Sequence, residues 1–122
     1  MAAPIERLKL RIEFLRVAAA RRKWVTPGLI LQSASRPATD ATELQPFRIG
    51  YTASRKVGGA VRRNRARRRL RAAVAEVMPS RAMRGCDYVL IARRETPDRP
   101  YSDLISDLET AFDKLTAKDR GP

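Results

Sequence analysis

The sequence predicts a single domain that mixes helices with strands, an α+β fold. Leu104, Leu108, Ala111, Phe112 and Leu115 recur at helical spacing, so "YSDLISDLETAFDKL" reads as an amphipathic helix. "FRIGYTA" instead alternates Phe47, Ile49, Tyr51 and Ala53 against Arg48, Gly50 and Thr52, the pattern of a half-buried strand. "DYVLIA" is a continuous apolar strand, as one covered on both faces must be. At 122 residues the chain can bury one modest core. That core is expected within residues 1–118, with "DRGP" (119–122) as a loose tail.

The other elements follow in chain order. "IERLKLRIEFLRVA" puts Ile5, Leu8, Ile12 and Leu15 on one helical stripe, with Arg7, Arg11, Glu13 and Arg16 elsewhere. A short strand is expected between Ala20 and Thr26. Pro27-Gly28 marks a turn, and "LILQSA" after it reads as a strand. "SRPATDATELQP" is a polar loop without core residues. The segment from Gly58 to Val77, "GGAVRRNRARRRLRAAVAEV", is a helix that Met78-Pro79 should close. Asp98 is the expected N-cap of the last helix, with Pro100 in its first turn.

Charge narrows the function. The chain carries 26 basic and 13 acidic residues, a formal charge of +13. Such a field is costly unless a polyanion absorbs it, which makes nucleic acid the leading partner and an anionic membrane the second. The excess is local. Leu44 to Ala75 holds no acid and a net +10, Met1 to Ile30 a net +5, and Asp87 to the C-terminus a net −2. The first two thirds of the chain therefore build a basic face, and the last third is scaffold.

Seven of the ten residues from Arg62 to Arg71 are arginine. At about 100° per residue, Ala66, Leu70, Ala73, Val74 and Val77 share a face that can pack on a sheet. Asn64, Arg65, Arg68 and Arg71 lie on the opposite arc, flanked by Arg67 and Arg69. Gly58 and Gly59 precede the helix, where free backbone N–H groups and the helix dipole favour anions. A merely solvated face would mix signs and pair Glu with Lys at i,i+4, yet no acid follows until Glu76. Phosphate binding is the better reading.

Catalysis by the protein alone is disfavoured. There is no histidine, and no serine, cysteine or lysine stands beside a base in a recognisable nucleophile motif. The carboxylates Asp103, Asp107 and Asp113 sit on the last helix, where solvation is the simplest account. Gly58-Gly59 lacks the Gly-Lys-Ser/Thr of a P-loop. Cys86 is the only cysteine; it reads as a small core residue, and its isolation suits a reducing compartment. No apolar run approaches membrane-spanning length. "MAAPIERLKL" lacks the apolar stretch of a secretory signal, and Glu6 and Glu13 argue against a mitochondrial transit peptide.

The segment "KVGGAVRRNRARRRLR" resembles the signature of the bacterial ribonuclease P protein family, K-x-G-x-A-V-x-R-N-R-x-K-R-x-x-R. Lys56, Gly58, Ala60, Val61, Arg63, Asn64, Arg65, Arg68 and Arg71 match it, and Arg67 stands where lysine is frequent. "FRIGYTASRK" is similar to the family's strand leading into the motif. "RLKLRIEFLRV" is similar to its first helix, and "DYVLIAR" with "YSDLISDLETAF" to its last strand and helix. The likeness covers nearly the whole chain.

The resemblance implies a ribosomal-protein-like fold, a two-layer α/β sandwich in α-β-β-β-α-β-α order. It implies a four-stranded sheet with a left-handed βαβ crossover around the arginine helix. It also implies a cytoplasmic protein component of the ribonuclease P ribonucleoprotein, an endonuclease that removes the 5′ leader of precursor tRNA. In that family the RNA subunit performs the hydrolysis with Mg2+ bound mainly through RNA. No protein metal site, membrane or obligatory protein partner is implied. By resemblance Lys56, Arg63, Asn64, Arg65, Arg67, Arg68 and Arg71 face the catalytic RNA. Phe14 and Arg11 line a leader cleft between the first helix and the sheet, where Phe14 serves base stacking; read from the residues alone, core packing fits Phe14 equally well. Ala18 and Gln32 occupy positions where the family often has further aromatics, and Trp24 is a candidate substitute. Two rival classes remain: a non-enzymatic ribosomal or chaperone-like RNA-binding protein, and a DNA-binding module with the arginine helix in a major groove.

Overall fold

The computed structural model describes residues 6–35, 47–81 and 86–119. Their order is β1 (Glu6–Arg7), α1 (Arg11–Ala19), β2 (Arg22–Val25), β3 (Leu29–Ser35), β4 (Phe47–Thr52), a 3₁₀ turn at Arg55–Val57, α2 (Ala60–Arg81), β5 (Cys86–Ala92) and α3 (Tyr101–Asp119). Four full strands and three helices follow the expected order, and β1 adds a two-residue edge. The polar loop at 36–46 and the end of the tail, 120–122, lie outside the described residues.

The strands are arranged β1-β4-β5-β3-β2. β2 and β3 form an antiparallel hairpin around Pro27-Gly28, with Thr26 N–H donating to Leu29 O at 2.9 Å. β3 runs antiparallel to β5, and β4 parallel to β5. Strand β5 is central, which explains its unbroken apolar run.

Side chains alternate between two faces. Leu29, Leu31, Phe47, Ile49, Tyr88 and Leu90 meet Leu70, Val74, Leu104, Leu108 and Phe112 in the main core beneath α2 and α3. The sheet and this helical pair make the expected two-layer sandwich. On the other face α1 adds a partial third layer, where Leu8, Val17, Ala34 and Val89 form a second, smaller core.

The hand of the crossover follows from chirality. View the sheet from the α2 side with β4 running upward, so that the Ile49 side chain points at the viewer. An L-residue in that pose turns its own carbonyl to the right. Ile49 O accepts a bond from Leu8 N at 2.8 Å, so β1 is on the right and β5 on the left. The path from β4 through α2 to β5 therefore steps left, against the usual right-handed rule.

Local expectations need four corrections. Residues 6–8 are extended, and α1 begins only at Arg11. Consequently Leu8 is buried from an extended segment, while Ile12 and Leu15 face outward, 70% and 53% exposed. Helix α2 runs through Pro79 to Arg81; Met78 is fully buried, so packing holds the last turn despite the missing donor. Asp98 does not cap α3: its carboxylate accepts from Arg62 Nη2 at 2.9 Å, and the Pro100 carbonyl accepts the first helical bonds. Trp24 packs toward the main core, its ring 5.8 Å from Lys114 Nζ, and so lies on the face opposite Phe14.

Candidate nucleic-acid interface

Helix α2 divides its arginines by direction. Ala66, Leu70, Ala73, Val74 and Val77 are buried, as their spacing demanded. On one flank, Arg62, Arg65 and Arg69 clasp the loop after β5. Arg62 reaches Val57 O, Arg94 O and Asp98 Oδ2; Arg65 Nε donates to Pro97 O at 2.8 Å; Arg69 donates to Thr96 O at 2.5 Å and to Arg99 O. Partial burial and the neighbouring Arg65 charge hold the Arg69 guanidinium below its ordinary value, and the Arg62 contact holds Asp98 below its own.

The loop is braced in turn. Thr96 Oγ1 donates to Gly28 O at 2.6 Å and accepts from Arg93 N at 2.7 Å, and Arg99 Nε donates to Asp107 Oδ2 at 2.5 Å. So part of the arginine run serves the fold. Replacing Arg69 with alanine removes charged donors from two carbonyls and should lower stability by about 1.5–3 kcal/mol. Chemical denaturation of the free protein checks this.

The remaining cations stay available. Asn64, Arg68 and Arg71 are exposed, and so is Arg65 despite its one carbonyl bond. Arg67 Nη1 donates to Asn64 Oδ1 at 3.0 Å, which joins two of the expected residues on the surface. Arg63, Arg67 and Arg71 recur every fourth residue on the flank away from the clasp. Arg63 Nε is enclosed and meets no acceptor among the described residues. Arg71 lies near enough to Tyr51 to oppose the burial that pushes its phenol up to about 12. Val61, 82% exposed, sits on the outermost arc beside Arg68.

Lys56 stands apart from this group. It is exposed on the 3₁₀ turn and borders two depressions. One, of about 680 Å³, lies between that turn, Gly58, Arg62 and the residues from Arg94 to Pro100. The other, of about 740 Å³, has Ile30, Ile91 and Ala92 as its apolar floor and Ser54, Lys56, Arg93 and Arg94 as its rim. Arg93 and Arg94 were not singled out from sequence, although two cations directly after a buried strand are a usable signal.

The sheet face that floors this second depression is also the face that α1 packs on. Arg48, Gly50 and Thr52 share the α1 face with Ile30, Gln32, Val89 and Ile91. Phe14 is half-buried above Gly50, against Leu8 and the second core, and a Cβ at Gly50 would overlap its ring. Phe14 is thus both packed and partly open. Gly50→Ala should displace the ring and cost about 1–3 kcal/mol, detectable as a lowered melting temperature. Arg11 is exposed on the same helix, as is Ala18.

An ion cluster joins α1 to the sheet here, and it was not foreseen. Asp87, with a fully buried side chain, accepts from Arg48 Nε at 2.9 Å and Nη2 at 2.7 Å, and also from Arg16 Nη2. Arg48 Nη1 donates to Glu13 Oε2 at 2.6 Å. The other Glu13 oxygen accepts from Leu10 N at 2.9 Å and Lys9 N at 3.0 Å, which caps α1. These backbone donors, Leu10 first, and then Arg48 hold the Glu13 carboxyl below its ordinary value. Among the described residues no three His, Cys, Asp or Glu gather as metal ligands, and no helix is long and apolar enough to cross a membrane.

The ribonuclease P family model matches residues 3–116. The chain is 56% identical over 117 residues to the ribonuclease P protein component of Paramagnetospirillum magneticum, covering 96% of this chain and 87% of the relative. It is 46% identical to that of Gluconacetobacter diazotrophicus, covering 93% and 94%. In fold it matches the RNase P protein of Staphylococcus aureus with a TM-score of 0.72 at 23% identity, over 91% of this chain and 95% of that one. It matches that of Thermotoga maritima with 0.69 at 23% identity, over 86% and 93%. With its arginine helix, its parallel β4-α2-β5 unit and these relatives, the chain belongs to the ribonuclease P protein family.

Proposed function

We propose that this chain uses two separate surfaces of one fold to bind the catalytic RNA and the 5′ leader of precursor tRNA. As a ribonuclease P protein component it is part of a tRNA-processing endoribonuclease, with the ribonuclease P RNA as partner. The outward arc of α2 and the flank beside it, carrying Arg63, Asn64, Arg65, Arg67, Arg68 and Arg71, receive phosphates of that RNA. The open α1-side face of the sheet receives the leader. Phe14 stacks a base, Ile30 and Ile91 floor the path, Arg11 flanks its entry, and Lys56, Arg93 and Arg94 follow the backbone charge.

The observation that carries this reading is the α1-side face of the sheet, which bears both a depression with an apolar floor and a rim of cations and a half-buried aromatic packed on Gly50. Single-stranded nucleic acid needs that combination. Duplex DNA in a major groove needs a free helix face instead, and the clasp from Arg62, Arg65 and Arg69 covers one flank of α2.

We assign Mg2+ to the RNA, a reading that the same chemistry supports. A cationic rim repels a divalent cation, and Asp98 in the neighbouring depression is engaged by Arg62. The protein then contributes by neutralising phosphate repulsion and holding the leader, and the RNA performs the hydrolysis. The test is binding to ribonuclease P RNA followed by a comparison of precursor with mature tRNA. Equal affinity for both would remove the leader site from the account.

A further inference from the structure

We infer that Asp87 and Arg48 are positioning residues that select which face of α1 meets the sheet, and so place Phe14 in the cleft. The inference rests on the leader site proposed above.

Helix α1 has two apolar faces. Phe14 and Val17 point to the sheet; Ile12 and Leu15 point outward, 70% and 53% exposed. By hydrophobicity alone the second pair is at least as good a core face. Only one buried α1 residue, Val17, anchors the helix, so packing discriminates weakly between the two rolls.

The ion cluster discriminates strongly. The Asp87 carboxylate is fully buried and fixed by two Arg48 nitrogens and by Arg16, while Arg48 reaches Glu13. Glu13 and Arg16, three residues apart, share the flank of α1 that lies across Val17 from Phe14, and this flank faces Asp87 and Arg48. Rolling Ile12 and Leu15 inward would carry both away and leave a buried carboxylate and guanidinium without their α1 partners. Buried ion pairs add little net stability, but breaking one is expensive, which is how they specify an arrangement.

The test is the double variant Arg48→Met with Asp87→Leu, which removes the charges but keeps the volume filled. Its free form should still melt cooperatively and bind ribonuclease P RNA with unchanged affinity. The Gly50 α-protons, which lie against the Cε1–Cζ edge of the Phe14 ring, should lose their ring-current shift in the NMR spectrum. With reconstituted holoenzyme, KM for precursor tRNA should rise at least about fivefold, the low end for one stacked base, with kcat little changed. Adding Ile12→Ser and Leu15→Ser removes the competing face and should restore both shift and KM.

A Gly50 shift retained in the double variant would overturn the inference, and so would failure of the serine substitutions to restore it. If the shift is lost and regained as expected but KM never moves, the roll is set as described and the positioning role is overturned. Should Phe14→Ala also leave KM unmoved, the fault lies with the leader site itself.

Discussion

Replacing Phe14 with alanine should weaken precursor tRNA binding by the holoenzyme about 5- to 150-fold, the worth of one stacked base. Mature tRNA, which lacks the leader, should bind almost as before. Assembly with the ribonuclease P RNA should be intact, because that contact is assigned to α2. The confounder is stability. A fully buried Phe costs about 3–5 kcal/mol on truncation; Phe14 is half-buried, packed on Leu8 and above Gly50, so its loss should cost less. Thermal unfolding separates the effects. A large fall in melting temperature with equal losses for precursor and mature tRNA would make Phe14 a core residue and nothing more.

The second large effect concerns salt. If the five available arginines of α2 each neutralise a phosphate, log K for the RNA should fall with log salt at a slope of roughly −3.5 to −4.5. Arg68→Ala should flatten that slope by about one and leave the melting temperature alone, because Arg68 is exposed. Arg69→Ala should do the reverse, since its guanidinium bonds Thr96 O and Arg99 O. An Arg68→Ala protein with unchanged slope and affinity would reduce Arg68 to a solvated surface charge.

The contrast between Arg68 and Arg69 marks what sequence could tell. Helical periodicity separated the buried face of α2 from its arginines, and it placed Arg67 and Arg69 on the flanks. It could not separate arginines left available on the surface from those that serve the fold, because the acceptors are backbone carbonyls some 30 residues away, at Arg94, Thr96, Pro97 and Arg99. Carbonyls have no signature in a sequence. Helix α3 and strand β5 were legible for the opposite reason: their burial is decided by their own residues.

Helix α1 was read with the wrong face inward. Leu8, Ile12 and Leu15 make a convincing stripe, but an extended start at Glu6–Arg7 and a long-range cluster at Asp87 and Arg48 override it. The left-handed crossover was likewise invisible to pattern reading and came only from family resemblance; the Ile49 carbonyl bond fixes it in the structure. Of the proposed leader face, Phe14 was named through that resemblance, whereas Arg93 and Arg94 and the ion cluster beneath α1 became visible only when the strands were side by side.

The central claim is that the protein supplies charge and leader contacts to a catalytic RNA. The most direct measurement reconstitutes the chain with a cognate ribonuclease P RNA and follows 5′ leader removal across Mg2+ concentrations. The account predicts no cleavage by RNA-free protein. It predicts an acceleration by added protein that is greatest at low Mg2+, where extra cations best offset RNA repulsion, and that is larger for substrates carrying a leader long enough to enter the cleft. Cleavage of precursor tRNA by rigorously RNA-free protein, or an acceleration indifferent to both Mg2+ and the leader, would contradict it.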